Sequence, residues 1–326
     1  MSRPVLFVTR ELPEKAQQRL ESLSDEVEVR QHLSEVGVGR QRLLSEVRGA
    51  CGIICVLDNA VDAELVEAAG PQLRVVSTVS VGYDHVDTQA LKTQGILLGH
   101  TPGVLTDATA DTTVLLALMA ARRAKEALLR AANGGSSGFS LGRGLGTQFG
   151  GQTLGIVGLG RIGSAVVSRL LPFGFTRVLY AAPRPQDKRA NALNAQHVSL
   201  DTLLESSDLV CICCPLTSET TGLFGSQAFA RMRRSAILVN SARGGIVDHD
   251  ALLEALNRGL IAHAALDVTV PEPLPVGHPL LIHPHCTVLP HIGSATEQTR
   301  AAMANLAIDN ALDGIFARPL KAQVDF

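Results

Sequence analysis

One short stretch constrains the chain more than any other: Thr153-Leu154-Gly155-Ile156-Val157-Gly158-Leu159-Gly160-Arg161-Ile162-Gly163. An apolar, strand-like run enters G-x-G-x-x-G and continues into Ser164-Ala165-Val166-Val167, where a helix is expected. In that context Gly158 permits a tight turn, Gly160 lets the backbone approach a pyrophosphate, and Gly163 lets helix and strand pack closely. The backbone N–H groups of Gly160, Arg161 and Ile162 then face the phosphates from a helix N-terminus, and Arg161 adds a full charge. The stretch therefore predicts a dinucleotide-binding strand, turn and helix.

The surrounding pattern agrees. From Thr153 onward, apolar runs alternate with helical segments: Arg177 to Tyr180, Leu209 to Cys214, Ala236 to Asn240, Ala264 to Val268 and Thr287 to Leu289 read as strands of a Rossmann-sized parallel sheet. A first, smaller alternation precedes it, with strands over Val5 to Thr9, Val27 to Arg30, Gly52 to Leu57, Arg74 to Val79 and Ile96 to Leu98. A chain of 326 residues exceeds what one core organises, so two domains are expected. A long helical pattern, Asp107 to Ala132, reads as the partition between them. The stretch 134–151 that follows holds eight glycines, which reads either as a linker or as an arm reaching a neighbouring subunit. One more amphipathic helix spans Ser294 to Phe316, and periodicity alone does not say which domain owns it.

Composition excludes several function classes. With 29 basic and 31 acidic residues the net charge is -2, and no run of like charges marks a nucleic-acid surface. Aromatics make up 3% and Trp is absent, so stacking platforms for single strands are scarce. The longest apolar stretch, Val114 to Ala121, is far short of the roughly 20 residues a membrane span needs. Five of the six cysteines lie in Ile/Val-rich runs, as small buried thiols do, which points to a reducing, cytoplasmic compartment. The triplet His283, His285 and Cys286 reads as a turn, and no metal is expected.

After the second strand of a dinucleotide fold, an acidic residue normally grips the ribose hydroxyls. Here Val178-Leu179-Tyr180 runs into Ala181-Ala182-Pro183-Arg184. A guanidinium can pair with a 2′-phosphate that a carboxylate would repel, so NADP(H) is favoured, with NAD(H) as the alternative. Three polar residues also follow strands of this sheet, where such folds bind ligands: Arg243, Glu272 and His291. Arg243 can hold a carboxylate or carbonyl oxygen, His291 can exchange a proton near neutral pH, and Glu272 can orient its imidazole.

Four segments carry a resemblance. Gly158 to Gly163, Asn240-Ser241-Ala242-Arg243-Gly244-Gly245-Ile246-Val247-Asp248, Leu266-Asp267-Val268 with Pro271-Glu272-Pro273-Leu274, and Leu289-Pro290-His291-Ile292-Gly293-Ser294-Ala295-Thr296 resemble the signatures of the D-isomer-specific 2-hydroxyacid dehydrogenases. Within that family Ser80 to Asp87, Thr101 to Asp107 and Pro271 to Pro275 are most similar to the glyoxylate/hydroxypyruvate reductases. The resemblance implies an α/β protein of two doubly wound parallel-sheet domains. In it a Rossmann cofactor domain, 103–295, is inserted into a flavodoxin-like substrate domain formed by 1–102 and 296–326. It implies that the backbone at Val81 and Gly82 receives the substrate carboxylate, with Arg243, His291 and Ser294 as further substrate contacts. Asp267 would face the nicotinamide carboxamide, with Pro215 and Ser241 along the cofactor. It also implies a homodimer.

The expected reaction is reduction of a small 2-keto acid, hydroxypyruvate to D-glycerate or glyoxylate to glycolate, with His291 giving the proton. Another D-2-hydroxyacid such as phosphoglycerate, or a NAD(H)-sensing corepressor-like role, remains the alternative. One departure concerns the far end of the substrate. Where these reductases commonly carry Trp after Asn133-Gly134-Gly135, this chain has Ser136-Ser137-Gly138-Phe139: either Phe139 substitutes, or, if the arm reaches a partner's active site, the missing wall loosens discrimination between small keto acids.

Overall fold

The computed structural model describes residues 3–135 and 139–326 and divides into two compact units, Met1–Leu105 with Thr296–Phe326, and Thr106–Ala295. The first boundary thus falls at 105/106 and not at the expected 102/103, and Ser136, at the position of the missing aromatic, lies outside the described residues.

The first unit holds a five-stranded, wholly parallel sheet of β1 (Val5–Val8), β2 (Glu28–Gln31), β3 (Ala50–Cys55), β4 (Val75–Thr78) and β5 (Leu97–Gly99), in the order β2-β1-β3-β4-β5. Alternate residues of each strand point to opposite faces, and the inner strands β1, β3 and β4 are buried on both because both are covered, whereas the edge strand β2 is polar. Leu6, Val8, Ile54 and Val75 pack under Ala304, Ala307, Ile308 and Ala311 of the helix Glu297–Ile315. Phe7, Ile53, Val76 and Leu98 pack on the other side with Leu43, Leu65 and Leu91. The final helix thus belongs with the first hundred residues. It seats closely through Gly314, where a Cβ would lie 2.4 Å from Val75 Cβ.

The second unit holds a seven-stranded parallel sheet: β6 (Thr153–Val157), β7 (Arg177–Ala181), β8 (Ala195–His197), β9 (Leu209–Ile212), β10 (Ile237–Asn240), β11 (His263–Leu266) and β12 (Cys286–Val288). Their order, β12-β11-β10-β9-β6-β7-β8, reverses direction between β6 and β9, which is where a doubly wound fold opens a crevice. The short β8 escapes a reading by apolar runs, since its residues, Ala195-Gln196-His197, are largely exposed.

The expected single helix over 107–132 is two helices, Thr106–Ala121 and Ala124–Ala132. Arg123 takes a left-handed conformation, φ 50°, and the Ala121 carbonyl accepts from the N–H of Thr147. A strand-like approach of 146–147, with a Cβ on Gly146 only 2.2 Å from Ala121 O, removes the acceptor the helix would need to continue. The second helix is then fastened by Lys125, whose Nζ donates to the carbonyls of Leu281, His283 and Cys286 at 2.7, 2.9 and 2.7 Å. Among the described residues no helix is long and apolar enough to cross a membrane.

Gly314→Ala tests the tight seat of the last helix. Alanine favours a helix by up to about 1 kcal/mol, but overpacking costs about 1–3 kcal/mol, so a net loss is expected in urea denaturation. A gain would show that Val75 yields freely.

Candidate active site

The glycine turn is built as its sequence requires. Gly158 has φ 97°, and a Cβ there would lie 2.8 Å from the backbone nitrogen of Cys214, at the end of the neighbouring β9. A Cβ on Gly163 would lie 2.2 Å from the carbonyl oxygen of Gly158, which closes the helix Arg161–Leu170 onto the turn. At Gly160 a Cβ would meet nothing within 4 Å. Two glycines are thus demanded by packing, whereas the third faces open space at a helix N-terminus. Among the described residues the N–H groups of Gly160, Arg161 and Ile162 have no acceptor, and the Arg161 side chain is exposed. This cradle suits a dinucleotide pyrophosphate.

Arg184 follows β7, beside β6, exposed and without an ion pair among the described residues. Pro215 follows β9 behind Cys213 and Cys214, whose thiols burial pushes up to about 12 and about 11. They are neutral packing groups at neutral pH.

Arg243 is placed by a residue the sequence reading passed over. Asn240, fully buried at the end of β10, donates from its amide to the Arg243 carbonyl at 2.8 Å and accepts from the N–H of Ala242 at 3.0 Å. Ser241 pairs with Thr113 Oγ1 at 2.6 Å. At Gly244 a Cβ would lie 2.2 Å from Thr269 O, so the Arg243 turn lies directly against the segment bearing Glu272.

Asp267 directly follows the next strand, β11, is almost fully buried, and accepts from the N–H groups of Ile292 and Gly293 at 2.8 and 2.7 Å. Burial raises its carboxyl pKa, against the lowering effect of those two N–H groups and of His291. Its own carbonyl accepts from the N–H of His291 at 2.8 Å. His291 is held in the left-handed region, φ 54°, a conformation that needs such external support. Its Nδ1 bonds Glu272 Oε1. A carboxylate only accepts, so Nδ1 carries the hydrogen and Nε2 lies on the opposite edge of the ring. Thr269 N–H holds the other Glu272 oxygen at 3.2 Å. Burial raises the Glu272 pKa, but the hydrogen bond and charge of His291, the Thr269 N–H and Arg243 outweigh it, so the carboxyl sits below the ordinary value. Ser294 is buried just beyond this turn.

Arg243, Glu272, His291 and Asp267 thus gather at the carboxyl edge of the second unit's sheet, with the glycine turn, Arg184, Pro215 and Ser241 along the same edge. Val81 and Gly82 lie in the first unit, in the loop after β4. Among the described residues no group of three or more His, Cys, Asp or Glu could hold a metal ion.

Comparison with known proteins defines the class. Residues 114–293 match the family model "D-isomer specific 2-hydroxyacid dehydrogenase, NAD binding domain". The chain belongs to the D-isomer specific 2-hydroxyacid dehydrogenases and is an oxidoreductase with an NAD-binding Rossmann domain. Within the family it is similar to the mouse glyoxylate reductase/hydroxypyruvate reductase, 44% identical over 319 residues, covering 98% of this chain and 97% of that one. A protein of Thermus thermophilus, known from its crystal structure, is 43% identical, with a TM-score of 0.91 over 98% of this chain and 100% of that chain. The NADPH-dependent glyoxylate/hydroxypyruvate reductase of Sinorhizobium meliloti, solved in complex with NADP and malonate, is 30% identical, with a TM-score of 0.85 over 99% and 97% of the two chains.

The pH dependence of stability tests the Glu272–His291 pair. A carboxyl whose folded pKa is depressed stabilises fully above its unfolded value, ordinarily 4.5, and loses that contribution as pH falls through the folded value. The stability lead of the wild type over Glu272→Gln should therefore shrink as pH falls below the ordinary glutamate value in urea denaturation. A constant difference over that range would remove the charge interaction.

Proposed function

We propose that this chain reduces a small 2-keto acid, hydroxypyruvate to D-glycerate and glyoxylate to glycolate, with NADPH preferred over NADH. The observation that carries the reading is the His291–Glu272 pair beside Arg243: a proton donor oriented by a carboxylate, next to a fixed cation. The names of the mouse and Sinorhizobium relatives support the substrate class.

The turn of Gly158, Gly160 and Gly163, with Arg161 and Ile162, would hold the pyrophosphate, and Asp267, Pro215 and Ser241 would lie along the nicotinamide half. When bound, the dinucleotide supplies the hydride that converts the keto carbon to a carbinol. Hydride addition leaves alkoxide character on the keto oxygen, and His291 Nε2 gives that oxygen its proton. Glu272 keeps the proton on Nδ1 and stabilises the charged ring that precedes transfer. Arg243 binds the keto oxygen and carboxylate and stabilises the charge as it develops. The amides of Val81 and Gly82 receive the substrate carboxylate, and Ser294 completes the substrate contacts. Arg184 recognises the 2′-phosphate. The six unpaired thiols fit a reducing, cytoplasmic setting.

Nicotinamide oxidation with NADPH and NADH against hydroxypyruvate, glyoxylate, pyruvate and 3-phosphohydroxypyruvate tests the reading. His291→Ala should lower kcat about a hundredfold or more with little change in KM. Arg243→Ala should impair both kcat and KM, and Arg184→Ser should cut the preference for NADPH about tenfold. Near-normal turnover in the His291 variant would overturn the mechanism. A wild type inactive with every pair would favour a dinucleotide sensor.

The protein is further proposed to act as a homodimer joined through the helix Ala124–Ala132 and the arm after it. That helix buries none of its own residues, and Leu128 and Leu129 are 63% and 53% exposed. Phe139, Leu141 and Leu145 of the following arm are exposed as well, Phe139 to 94%. Replacing Leu128 and Leu129 together by Glu should give a monomer in sedimentation; a persisting dimer would place the interface elsewhere.

A further inference from the structure

The loop after β4 presents its backbone in an unusual way. Three consecutive carbonyls, those of Ser80, Val81 and Gly82, are each taken by a different donor of the same unit. The Ser80 carbonyl accepts from Thr101 N–H at 2.8 Å. The Val81 carbonyl is bonded by His100 Nδ1 at 3.0 Å, and the Gly82 carbonyl accepts from the Ser80 hydroxyl at 2.6 Å. A carbonyl only accepts, so His100 carries its hydrogen on Nδ1.

Peptide planarity converts these bonds into a statement about the opposite side of the loop. In a trans peptide the C=O of one residue and the N–H of the next point in opposite directions. Among the described residues the cis bonds are confined to those before Pro271 and Pro273. Fixing the carbonyls of Ser80, Val81 and Gly82 therefore fixes the outward direction of the N–H groups of Val81, Gly82 and Tyr83. Among the described residues none of those three N–H groups has an acceptor. Unpaired amides on successive residues can receive an anion together.

The donors are themselves held. The N–H of His100 donates to Ala322 O at 3.1 Å, and its carbonyl accepts from Asn310 Nδ2 at 3.0 Å. Asn310 is fully buried, and its Oδ1 accepts from the N–H of Ala322 at 2.9 Å. Gly99 lets the strand approach, since a Cβ there would lie 2.6 Å from Asn310 Cβ. Tyr83 meets the imidazole edge-on, with ring centroids 6.0 Å apart. On the other side, Thr78 Oγ1 lies 2.8 Å from Ser80 Oγ and 2.9 Å from His85 Nε2. Proton counting gives this chain one direction. Ser80 spends its only proton on Gly82 O, so it accepts from Thr78; Thr78 then accepts from His85, which must carry a hydrogen on Nε2.

We infer that His100 and Ser80 are positioning residues: by pinning the carbonyls of Val81 and Gly82, they aim the amide of Gly82 at the carboxylate of the substrate and bring that of Tyr83 beside it, while Thr101, on the Ser80 carbonyl, sets the amide of Val81. The inference rests on the proposed reduction of a 2-keto acid for the identity of the anion, and on geometry of the first unit for everything else. His100 touches neither substrate nor cofactor in this scheme and acts only through the peptide it holds.

The test pairs steady-state kinetics with calorimetric binding of oxalate, a non-reacting dicarboxylate, to wild type, His100→Ala, His100→Asn and Ser80→Ala. His100→Ala is expected to raise KM for the keto acid and weaken oxalate about tenfold, with kcat and NADPH affinity little changed. His100→Asn, whose amide can donate to the same carbonyl, should recover most of the loss. Ser80→Ala should shift KM and oxalate affinity in the same direction. Equal KM and oxalate affinity in wild type and His100→Ala would overturn the inference while leaving the reduction intact. Wild type that turns over no keto acid but binds oxalate, with the variant weakened, would keep the amide cradle and discard the reductase reading. Absence of oxalate binding by the wild type would overturn the cradle.

Discussion

A wholly parallel sheet delivers the carboxyl end of every strand to one edge, and both sheets of this protein are wholly parallel. Apolar side chains fill both faces of such a sheet, because crossover helices cover both. Polar chemistry is thereby excluded from the strand interiors and concentrated where strands stop. Arg184, Pro215, Arg243, Asp267 and His291 follow five of the seven strands of the larger sheet for this reason, and the loop of Val81 and Gly82 follows a strand of the smaller one. Strand order reverses between β6 and β9, and there Gly158 turns closely against Cys214.

What the sequence made legible follows from the same constraint. G-x-G-x-x-G after an apolar run could be read because each glycine answers to a local requirement, and the packing at Gly158 and Gly163 is that requirement in atomic form. Arg243, Glu272 and His291 could be picked out because a polar residue just after an apolar strand has few other positions open to it. Periodicity did not reveal the supports behind them. Asn240 sits at the end of an apolar strand and looks like part of it, yet its amide builds the turn that presents Arg243. The glycine at 244 carries no signal beyond its type until Thr269 is found against it.

Helix limits show where local reading fails. The apolar spacing through Val114, Leu115, Leu118 and Met119 leads directly into Arg122 and Arg123, and no proline or glycine marks a stop. The helix ends because a distant segment, 146–147, takes the Ala121 carbonyl, an event of tertiary structure. His100 is similar: its identity as a loop support depends on Asn310 and Ala322, more than two hundred residues away in the chain. The ownership of the final helix was legible only through resemblance, because its amphipathic pattern fits either sheet.

The break at Arg123 divides one rod into two with separate constituencies. The helix Thr106–Ala121 has Ala110, Leu116, Ala117 and Ala120 locked into the core, so its sequence answers to the sheet beneath it. The helix Ala124–Ala132 buries no residue, and polar contacts fasten it, Lys125 reaching three carbonyls and Glu126 facing His285. Its outward side chains can therefore change through substitution without a core repair elsewhere. Lineages of this chain are free to remodel what that helix meets while the fold beneath it stays the same.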